Sequence, residues 1–515
     1  MLDLWLCEHK SYADLKRLRI LFAILLMLLA AVVNSQTRSV NALDSTVVTV
    51  NVDTNVQIGT NNLKLGTQVE PTMKLPEKIV LKNDAKAVGF GLIRIFLYEY
   101  EPCTSWNEKT CTGTFDWSSF DKIIQAIHET GSEPLVCIDI RPTHPPPGMY
   151  VDPSTKLPRI ESIVEYSGAV AKHAKEKALN VNYWEVLNEP QYYAFKEMNP
   201  NGAVVALVVK IFNEVSARIH SVLPNSVCGL NCCNVKAFLD YFVKYGQGVG
   251  FLGFHKYDTG DPTPWFGDSE VLKLASVGCQ WQEAEYTPAQ MRDVWKKARG
   301  EDLPIICSET NLNWAYESGT DPRIQQAVGA VWYAEEIRSF ALMGVHHSIY
   351  YTLASSKTTE LLYQKTGGWG FGMMDYEGYD KWYPYLVNYL IGNNLGYHSP
   401  LFQATTSNIT KVSALAWKNG NRNMILLLNK DIDEVTVQIV GMPTGQLAAY
   451  RIDNSSTKIE EEVTATRQFR MKGYTVLLNV YLEQSGIPIA EFPEATVVLA
   501  SALAASLFVL RRKRR

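Results

Sequence analysis

The sequence has no glycine-rich GxGxxG loop or phosphate-binding P-loop after its first predicted strand, which weakens a nucleotide-binding interpretation. It also lacks the paired CxxC spacing that is typical of zinc sites, although it has nine cysteines. Lys and Arg number 49 against 53 Asp and Glu, and a net charge of -4 is not the basic signature of nucleic-acid binding. There is no internal repeat or low-complexity block. We therefore expect no cofactor, no metal and no nucleic-acid partner.

Apolar runs long enough to be clear membrane-spanning helices are missing too. The two strongest candidates for such a segment lie at the ends of the chain. Residues 20–33 follow a basic segment, and a run of about 14 residues suits a signal core better than a spanning helix. We predict a signal peptide region over residues 1–36, with an uncleaved anchor as the alternative.

The other end carries a linker, residues 485–494, followed by an apolar segment with a basic end, residues 495–515. The basic end should stay cytoplasmic, which leaves the bulk of the chain outside. We therefore expect a secreted protein that is anchored to the membrane at the outer cell surface. The tail is either a plain anchor or a sorting tail that is cut and replaced by a lipid.

Two of the cysteines, Cys103 and Cys111, bracket a short polar loop. In an extracellular protein this spacing predicts a disulfide between them. Three others, Cys137, Cys228 and Cys307, fall in apolar strands and are expected to be buried thiols.

Between about residues 61 and 395, short apolar strands alternate with longer amphipathic stretches, the pattern of βα units around a parallel sheet. Eight such units predict a closed (β/α)8 TIM barrel, with an open doubly wound sheet as the alternative. The predicted strands are 63–69, 92–97, 135–140, 183–187, 226–230, 251–255, 304–308 and 348–353. Residues 396–484 return to strand alternation and predict an antiparallel β-sandwich, which the Val-rich segment 41–60 is expected to join.

Two of the predicted barrel strands end in an acid. Glu189 follows strand four within 183–190, and Glu309 follows strand seven within 303–311. Catalytic groups of a TIM barrel lie at the carboxyl ends of its strands. Cys307 has the same alternation parity as Glu309, so both are expected on one face of the strand.

Two facing carboxylates are the groups that glycosidic bond cleavage needs. In double displacement, one attacks the anomeric carbon while the other donates a proton to the leaving oxygen. Arg94 on strand two can keep Glu309 ionised, although it can also pair with another acid inside the barrel. Asn188, beside Glu189, is placed to hydrogen-bond the sugar 2-hydroxyl.

Further residues at strand ends are candidates for substrate binding. His255 and Tyr257 share one parity at the end of strand six, and Tyr257 can hydrogen-bond the nucleophile. Tyr351 on strand eight and Trp369 in a glycine-rich loop can stack on a sugar, and His144 after strand three can shape the pocket. For each of these five, ordinary core packing or pocket structure is the alternative.

Together, the run from Trp184 to Pro190, the Arg of strand two, the His-Lys-Tyr of strand six and the Glu of strand seven resemble clan A retaining glycoside hydrolases. The segment 371–385 is similar to glycoside hydrolase family 39, which contains β-xylosidases and α-L-iduronidases. The resemblance covers about residues 60–480 and implies that Glu189 is the acid/base and Glu309 the nucleophile. Tyr351 departs from the pattern, because the clan usually has Trp there, and this leaves the sugar open.

The resulting hypothesis is a retaining glycoside hydrolase that acts on extracellular poly- or oligosaccharides. One alternative is a catalytically inactive carbohydrate-binding protein of the cell surface, although both acids are present. The other is a transglycosylase that remodels surface glycans, which differs only in the acceptor.

Overall fold

The computed structural model describes residues 47–191, 203–259, 266–277, 286–314, 321–355, 371–442, 445, 447–463 and 467–482. Its centre is a closed barrel of eight parallel strands. A separate sheet of nine strands lies beside the barrel and includes the first strand of the chain, β1 (Val48–Thr60). The predicted fold class, a TIM barrel with an added sandwich, is confirmed.

All eight predicted barrel strands are strands of the barrel. They are β2 (Lys64–Gln68), β3 (Leu92–Phe96), β6 (Glu133–Ile138), β7 (Tyr183–Val186), β8 (Val227–Leu230), β9 (Phe251–Tyr257), β10 (Ile305–Asn311) and β11 (His347–Tyr350). Their hydrogen-bonded order follows the chain order and closes where β11 pairs with β2. Their carboxyl ends therefore meet at one mouth.

Helices cover the barrel. The described ones are α1 (Ile79–Val88), α2 (Ser118–Glu129), α3 (Ile160–Glu176), α4 (Ala203–Val222), α5 (Lys236–Tyr245), α6 (Asp268–Val277), α7 (Pro288–Arg299), α8 (Ala327–Met343) and α9 (Tyr383–Gly392). In α2, Phe120, Ile123, Ile124 and Ile127 recur at helical spacing and all are buried. Gly131, at a φ of +86°, follows the end of this helix, as the sequence predicts.

Strand alternation divides the barrel core into two parts. A layer inside the barrel consists of Leu92, Leu135, Phe251, Ile306 and Ile349. Their neighbours along the strands, such as Ile93 and Val136, belong to the larger cluster that the helices cover. An inward side chain near a strand's carboxyl end therefore faces the mouth.

The second sheet contains β1, β12 (Pro400–Thr406), β13 (Val412–Asn419), β14 (Arg422–Asn429), β15 (Val435–Val440), β16 (Leu447–Ile452), β17 (Glu460–Val463), β18 (Gln468–Met471) and β19 (Thr475–Leu482). Its core includes Ile425 of β14 and Val437 of β15, which lie four places apart in the strand order. Neighbouring strands are about 4.8 Å apart, so the sheet must fold over on itself for these strands to share one core. The result is the two-layered arrangement of a sandwich.

The outer face of this sheet packs against the barrel. Leu426 and Leu428 of β14 belong to the barrel's own core cluster, and Ser413 Oγ donates to Glu335 Oε2 of α8 at 2.5 Å. Both faces of β14 are thus buried, which explains why residues 424–428 are apolar without alternation.

The predicted disulfide is wrong, because Cys103 and Cys111 are both free thiols. The loop between them is a hairpin of β4 (Cys103–Asn107) and β5 (Thr112–Phe115), in which Cys103 pairs with Phe115 and Cys111 lies at the turn. Strands rise about 3.3 Å per residue, so four residues of strand separate the two thiols by more than a disulfide spans. Cys137, Cys228 and Cys307 are buried thiols.

Among the described residues, no helix has both the length and the apolar composition that crossing a bilayer requires. The predicted signal region and the predicted tail lie outside these residues.

Candidate active site

Glu189 and Glu309 lie together at the mouth of the barrel. Glu189 follows β7 by three residues, and Glu309 is near the carboxyl end of β10. One side-chain ligand atom from each of them and one from His255 lie within 4.8 Å of one another. Two acids 120 residues apart in the sequence thus share one pocket rim.

The backbone at the exit of β7 departs from strand geometry. Leu187 and Glu189 have left-handed φ angles of +65° and +46°. Such a conformation costs about 1–2 kcal/mol per residue outside glycine and is found at functional sites. By alternation Asn188 would face away from the barrel with Trp184, but the turn at Leu187 brings it into contact with Arg94. The Glu189 amide donates to Asn231 Oδ1 at 3.0 Å, which holds this turn.

A second irregularity, in β10, places the side chain of Glu309 at the mouth. Where β10 pairs with β9, the register shifts between Cys307 and Glu309, as in a β-bulge. Ile306 faces the inside of the barrel and Cys307 packs in the outer cluster, yet Glu309 reaches the mouth. The prediction that Cys307 and Glu309 share one face is therefore wrong, because the bulge reverses the alternation between them.

Arg94 connects the strand ends and is fully buried. Its Nη1 donates to Glu309 Oε1 at 2.5 Å and to Gln68 Oε1 at 2.7 Å. Its Nη2 and Nε donate to Asn188 Oδ1 and Glu185 Oε2, both at 2.7 Å. Arg94 therefore contacts Glu309 and also pairs with another interior acid, Glu185. A guanidinium with this many partners fixes the position of the nucleophile candidate.

Glu309 is held as a carboxylate. Tyr257 donates its hydroxyl to Oε2 at 2.5 Å, while Arg94 occupies Oε1. Burial by itself raises the pKa of Glu309, but the charges of His255 and Arg94 and the hydrogen bond from Tyr257 outweigh it and lower the pKa below its ordinary value. A buried carboxylate that stays ionised is suited to nucleophilic attack.

Glu189 has a different environment. Its side chain is 22% exposed, and its Oε1 lies 2.9 Å from His255 Nδ1. Burial lowers the pKa of His255, but the charge of Glu309 and the hydrogen bond with Glu189 outweigh burial and raise it. The more accessible acid beside a titratable imidazole is suited to proton transfer.

A divalent cation is a poor match for this site. Within the described residues, Glu189, His255 and Glu309 form the one group of His, Cys, Asp or Glu side chains that could share an ion. Both oxygens of Glu309 already accept hydrogen bonds, and an ion would compete with the guanidinium of Arg94. The donor set fits a proton and a sugar better than a metal.

The remaining predicted residues differ in their placement. Tyr351 is buried at the mouth, edge-on to Tyr257 with 6.5 Å between ring centroids. His144 is exposed and stacks on Tyr98 with 4.4 Å between ring centroids, and its described hydrogen bond is with Thr143. Trp369 lies outside the described residues.

Three residues of the site were not found from the sequence. Gln68 and Glu185 contact Arg94, and Asn231 donates to Asn188 Oδ1 at 3.1 Å. Glu185 had a visible signal, because it and Arg94 are opposite charges within apolar strands. Gln68 and Asn231 are neutral residues at strand ends and carry no such signal.

No protein-family model matches the chain, and no curated protein matches it. Several solved structures, in contrast, match the chain. A family 39 β-xylosidase from Caulobacter crescentus is 16% identical, with 84% of this chain and 99% of that chain covered and a TM-score of 0.58. An α-L-arabinofuranosidase from Thermotoga maritima is 14% identical, with 84% and 100% covered and a TM-score of 0.58. A family 44 xyloglucanase from Paenibacillus polymyxa is 12% identical, with 85% and 99% covered and a TM-score of 0.54. At such identities the likeness shows the fold, and the resemblance to family 39 is confirmed at that level.

Proposed function

We propose that this protein is a retaining glycoside hydrolase. The observation that carries the proposal is the closeness of its two acids, because one carboxylate oxygen of Glu189 and one of Glu309 lie within 4.8 Å of each other. Nδ1 of His255 lies between them, 2.9 Å from Glu189 Oε1 and 3.6 Å from Glu309 Oε2. Retaining enzymes hold their carboxyl groups about 5–5.5 Å apart, whereas inverting enzymes need about 6.5–9.5 Å to admit a water. The described structure therefore supports attack by the protein itself.

In the proposed first step, Glu309 attacks the anomeric carbon and Glu189 protonates the leaving oxygen. The glycosidic C–O bond breaks, and a glycosyl ester forms on Glu309. In the second step, Glu189 takes a proton from water, and the water oxygen displaces Glu309 from the same carbon. Nδ2 of Asn188 has no hydrogen bond among the described residues and is the group left for the sugar 2-hydroxyl, since Oδ1 accepts from Arg94 and Asn231.

The two acids differ in a way that supports these roles. Glu309 has a guanidinium and a phenol on its oxygens, which favours a permanent carboxylate. Glu189 has only His255 among its described side-chain partners and is open to the leaving group. An intact pair of this kind counts against a protein that only binds carbohydrate.

The proposal is tested with a panel of aryl glycosides of different sugars and leaving groups. We expect Glu189→Ala to reduce kcat/KM about 100- to 10,000-fold for poor leaving groups, because they need protonation. A good leaving group such as dinitrophenolate departs without it and should show a much smaller loss. Glu101→Gln, which alters a half-buried acid that accepts a hydrogen bond from Tyr166, is the control.

An equal loss for all leaving groups would contradict the assignment of Glu189 as the acid. Sugar binding without any turnover by the wild type would contradict the proposed activity and favour the carbohydrate-binding alternative. Adding acceptor sugars to the same assay separates transglycosylation from hydrolysis by the product formed. The extracellular, membrane-anchored location remains a proposal that rests on the two ends of the sequence.

A further inference from the structure

Three more acids lie at the mouth that double displacement does not use. Glu70 follows β2 by two residues, Glu99 is in the turn Leu97–Tyr100 after β3, and Asp139 directly follows β6. These are the exits of barrel strands one, two and three, which are adjacent. We call Glu70, Glu99 and Asp139 the acidic wall.

The acidic wall has hydrogen-bonding atoms that the protein does not satisfy. Glu99 Oε2 and Asp139 Oδ1 are buried and have no hydrogen-bond partner among the described residues. The same holds for Nε2 of Gln68, which is fully buried. Arg94 fixes the orientation of this amide, because its guanidinium must meet the amide oxygen. Buried polar groups without partners cost free energy, so a donor and two acceptors left free together indicate a polar ligand.

The acidic wall is electrostatically coupled to the nucleophile candidate. Burial, followed by the charge of Glu70, raises the pKa of Glu99 well above its ordinary value. Burial and the charge of Glu309 raise the pKa of Glu70, against a hydrogen bond with Tyr351. The negative charges of Glu70 and Glu309 thus oppose a further negative charge in this part of the mouth.

A cation is not the ligand that this wall fits. Among the described residues, no ion-sharing group includes Glu70, Glu99 or Asp139. One of the free groups is an N–H donor, Nε2 of Gln68, which a sugar hydroxyl can use and a cation cannot. Asp139 also pairs with Arg141 at 2.5 Å, which already balances its charge.

We infer that Glu70 and Glu99 are specificity-determining residues that bind hydroxyl groups of a neutral sugar on the non-reducing side of the cleaved bond and reject uronic acids. This inference rests on the proposed function and narrows its substrate class. A sugar carboxylate at this position would face the acidic wall and Glu309 at once. Like charges brought together in a desolvated site repel each other strongly.

The test uses the full chain and aryl glycosides with one leaving group, comparing xylose, arabinose and glucose with glucuronic and iduronic acid. For the wild type we expect kcat/KM on the best neutral sugar to exceed that on either uronide at least about 100-fold. In Glu70→Gln and Glu99→Gln, KM for the neutral sugar should rise about 10- to 100-fold with a smaller change in kcat, because a charged hydrogen bond is lost. The preference over uronides should fall about tenfold, because the acidic wall loses one of its acids.

Glu101→Gln is the matched control, since it changes a half-buried acid two residues from Glu99 that accepts hydrogen bonds from Tyr166 and the Cys103 amide. It should leave both KM and the preference unchanged, and melting temperatures would show that all three variants fold. If the wild type cleaved uronides as well as neutral sugars, this inference would be overturned while the proposed function would stand. The same would follow if Glu70→Gln and Glu99→Gln behaved like the control. No turnover of any glycoside would overturn the proposed function, and this inference with it.

Discussion

Replacing Glu309 with alanine is expected to reduce kcat/KM at least about 10,000-fold, because the covalent step loses its nucleophile. Sodium azide is then expected to restore turnover, since the vacated space admits a small anion on the face that the carboxylate occupied. One displacement by azide inverts the anomeric carbon, so the glycosyl azide should have the configuration opposite to that of the substrate. The measurement is rate against azide concentration, with the product configuration determined by NMR.

Glu309→Gln is the control for this result. It keeps the bulk of the side chain and a hydrogen-bonding partner for Tyr257, but it offers neither a nucleophile nor a space for azide. It should be as inactive as the alanine variant and should not be rescued. Rescue of both variants, or a glycosyl azide of retained configuration from Glu309→Ala, would contradict the role given to Glu309.

Arg94→Met is expected to destabilise the fold by about 3–5 kcal/mol, which is the usual effect of leaving a buried charge unpaired. Glu185 is fully buried and its one described ionic partner is Arg94. Arg292→Met is the control, because this arginine also donates hydrogen bonds to both oxygens of an acid, Asp302. Unlike Arg94, it does so at the surface. Its effect should be below about 1 kcal/mol. Urea unfolding at neutral pH measures both.

The same substitution, Arg94→Met, should change the pH dependence of kcat/KM and of the free energy of unfolding. Arg94 contributes to the lowered pKa of Glu309, so its loss raises that pKa and shifts the acidic limb of kcat/KM to higher pH. A folded-state pKa below the unfolded value gives stability that is present above the unfolded pKa and is lost as pH falls through the folded one. The difference in stability between wild type and Arg94→Met should therefore narrow on acidification below the ordinary value of 4.5. An unchanged free energy of unfolding together with an unchanged acidic limb would contradict the role of Arg94.

The barrel could be predicted from the sequence because its strands are short apolar runs whose period is local. Every predicted strand is a barrel strand, although β9 and β10 extend further towards the mouth than expected. The antiparallel sheet could also be predicted, because the alternation of its strands is local as well. The disulfide prediction failed because a polar loop between two cysteines was in fact a hairpin that separates them.

The site itself was only partly predictable. Glu189, Glu309, Arg94, His255 and Tyr257 could be found because charged or polar groups at the ends of apolar strands need a reason to be there. Their orientation could not be found, since it depends on a left-handed Leu187 and on a bulge before Glu309. Both features break the alternation rule, and neither has a sequence signal as clear as a glycine.

The acidic wall was missed for a related reason. Glu70 and Glu99 lie beyond the last strand residue, in turns where acids are common and solvated. Only the closure of the barrel brings them beside Glu309. Residues that become close through the pairing of β2, β3 and β10 around a ring cannot be recognised from local pattern alone.

The most direct test of the two-carboxylate claim is the anomeric configuration of the first product. The wild type is mixed with the aryl glycoside that it cleaves best, and proton NMR spectra are recorded before the released sugar mutarotates. A separation of at most 4.8 Å between Glu189 and Glu309 ligand atoms predicts that the first sugar released has the configuration of the substrate. Release of the opposite anomer would mean that water attacks directly, and it would contradict the account.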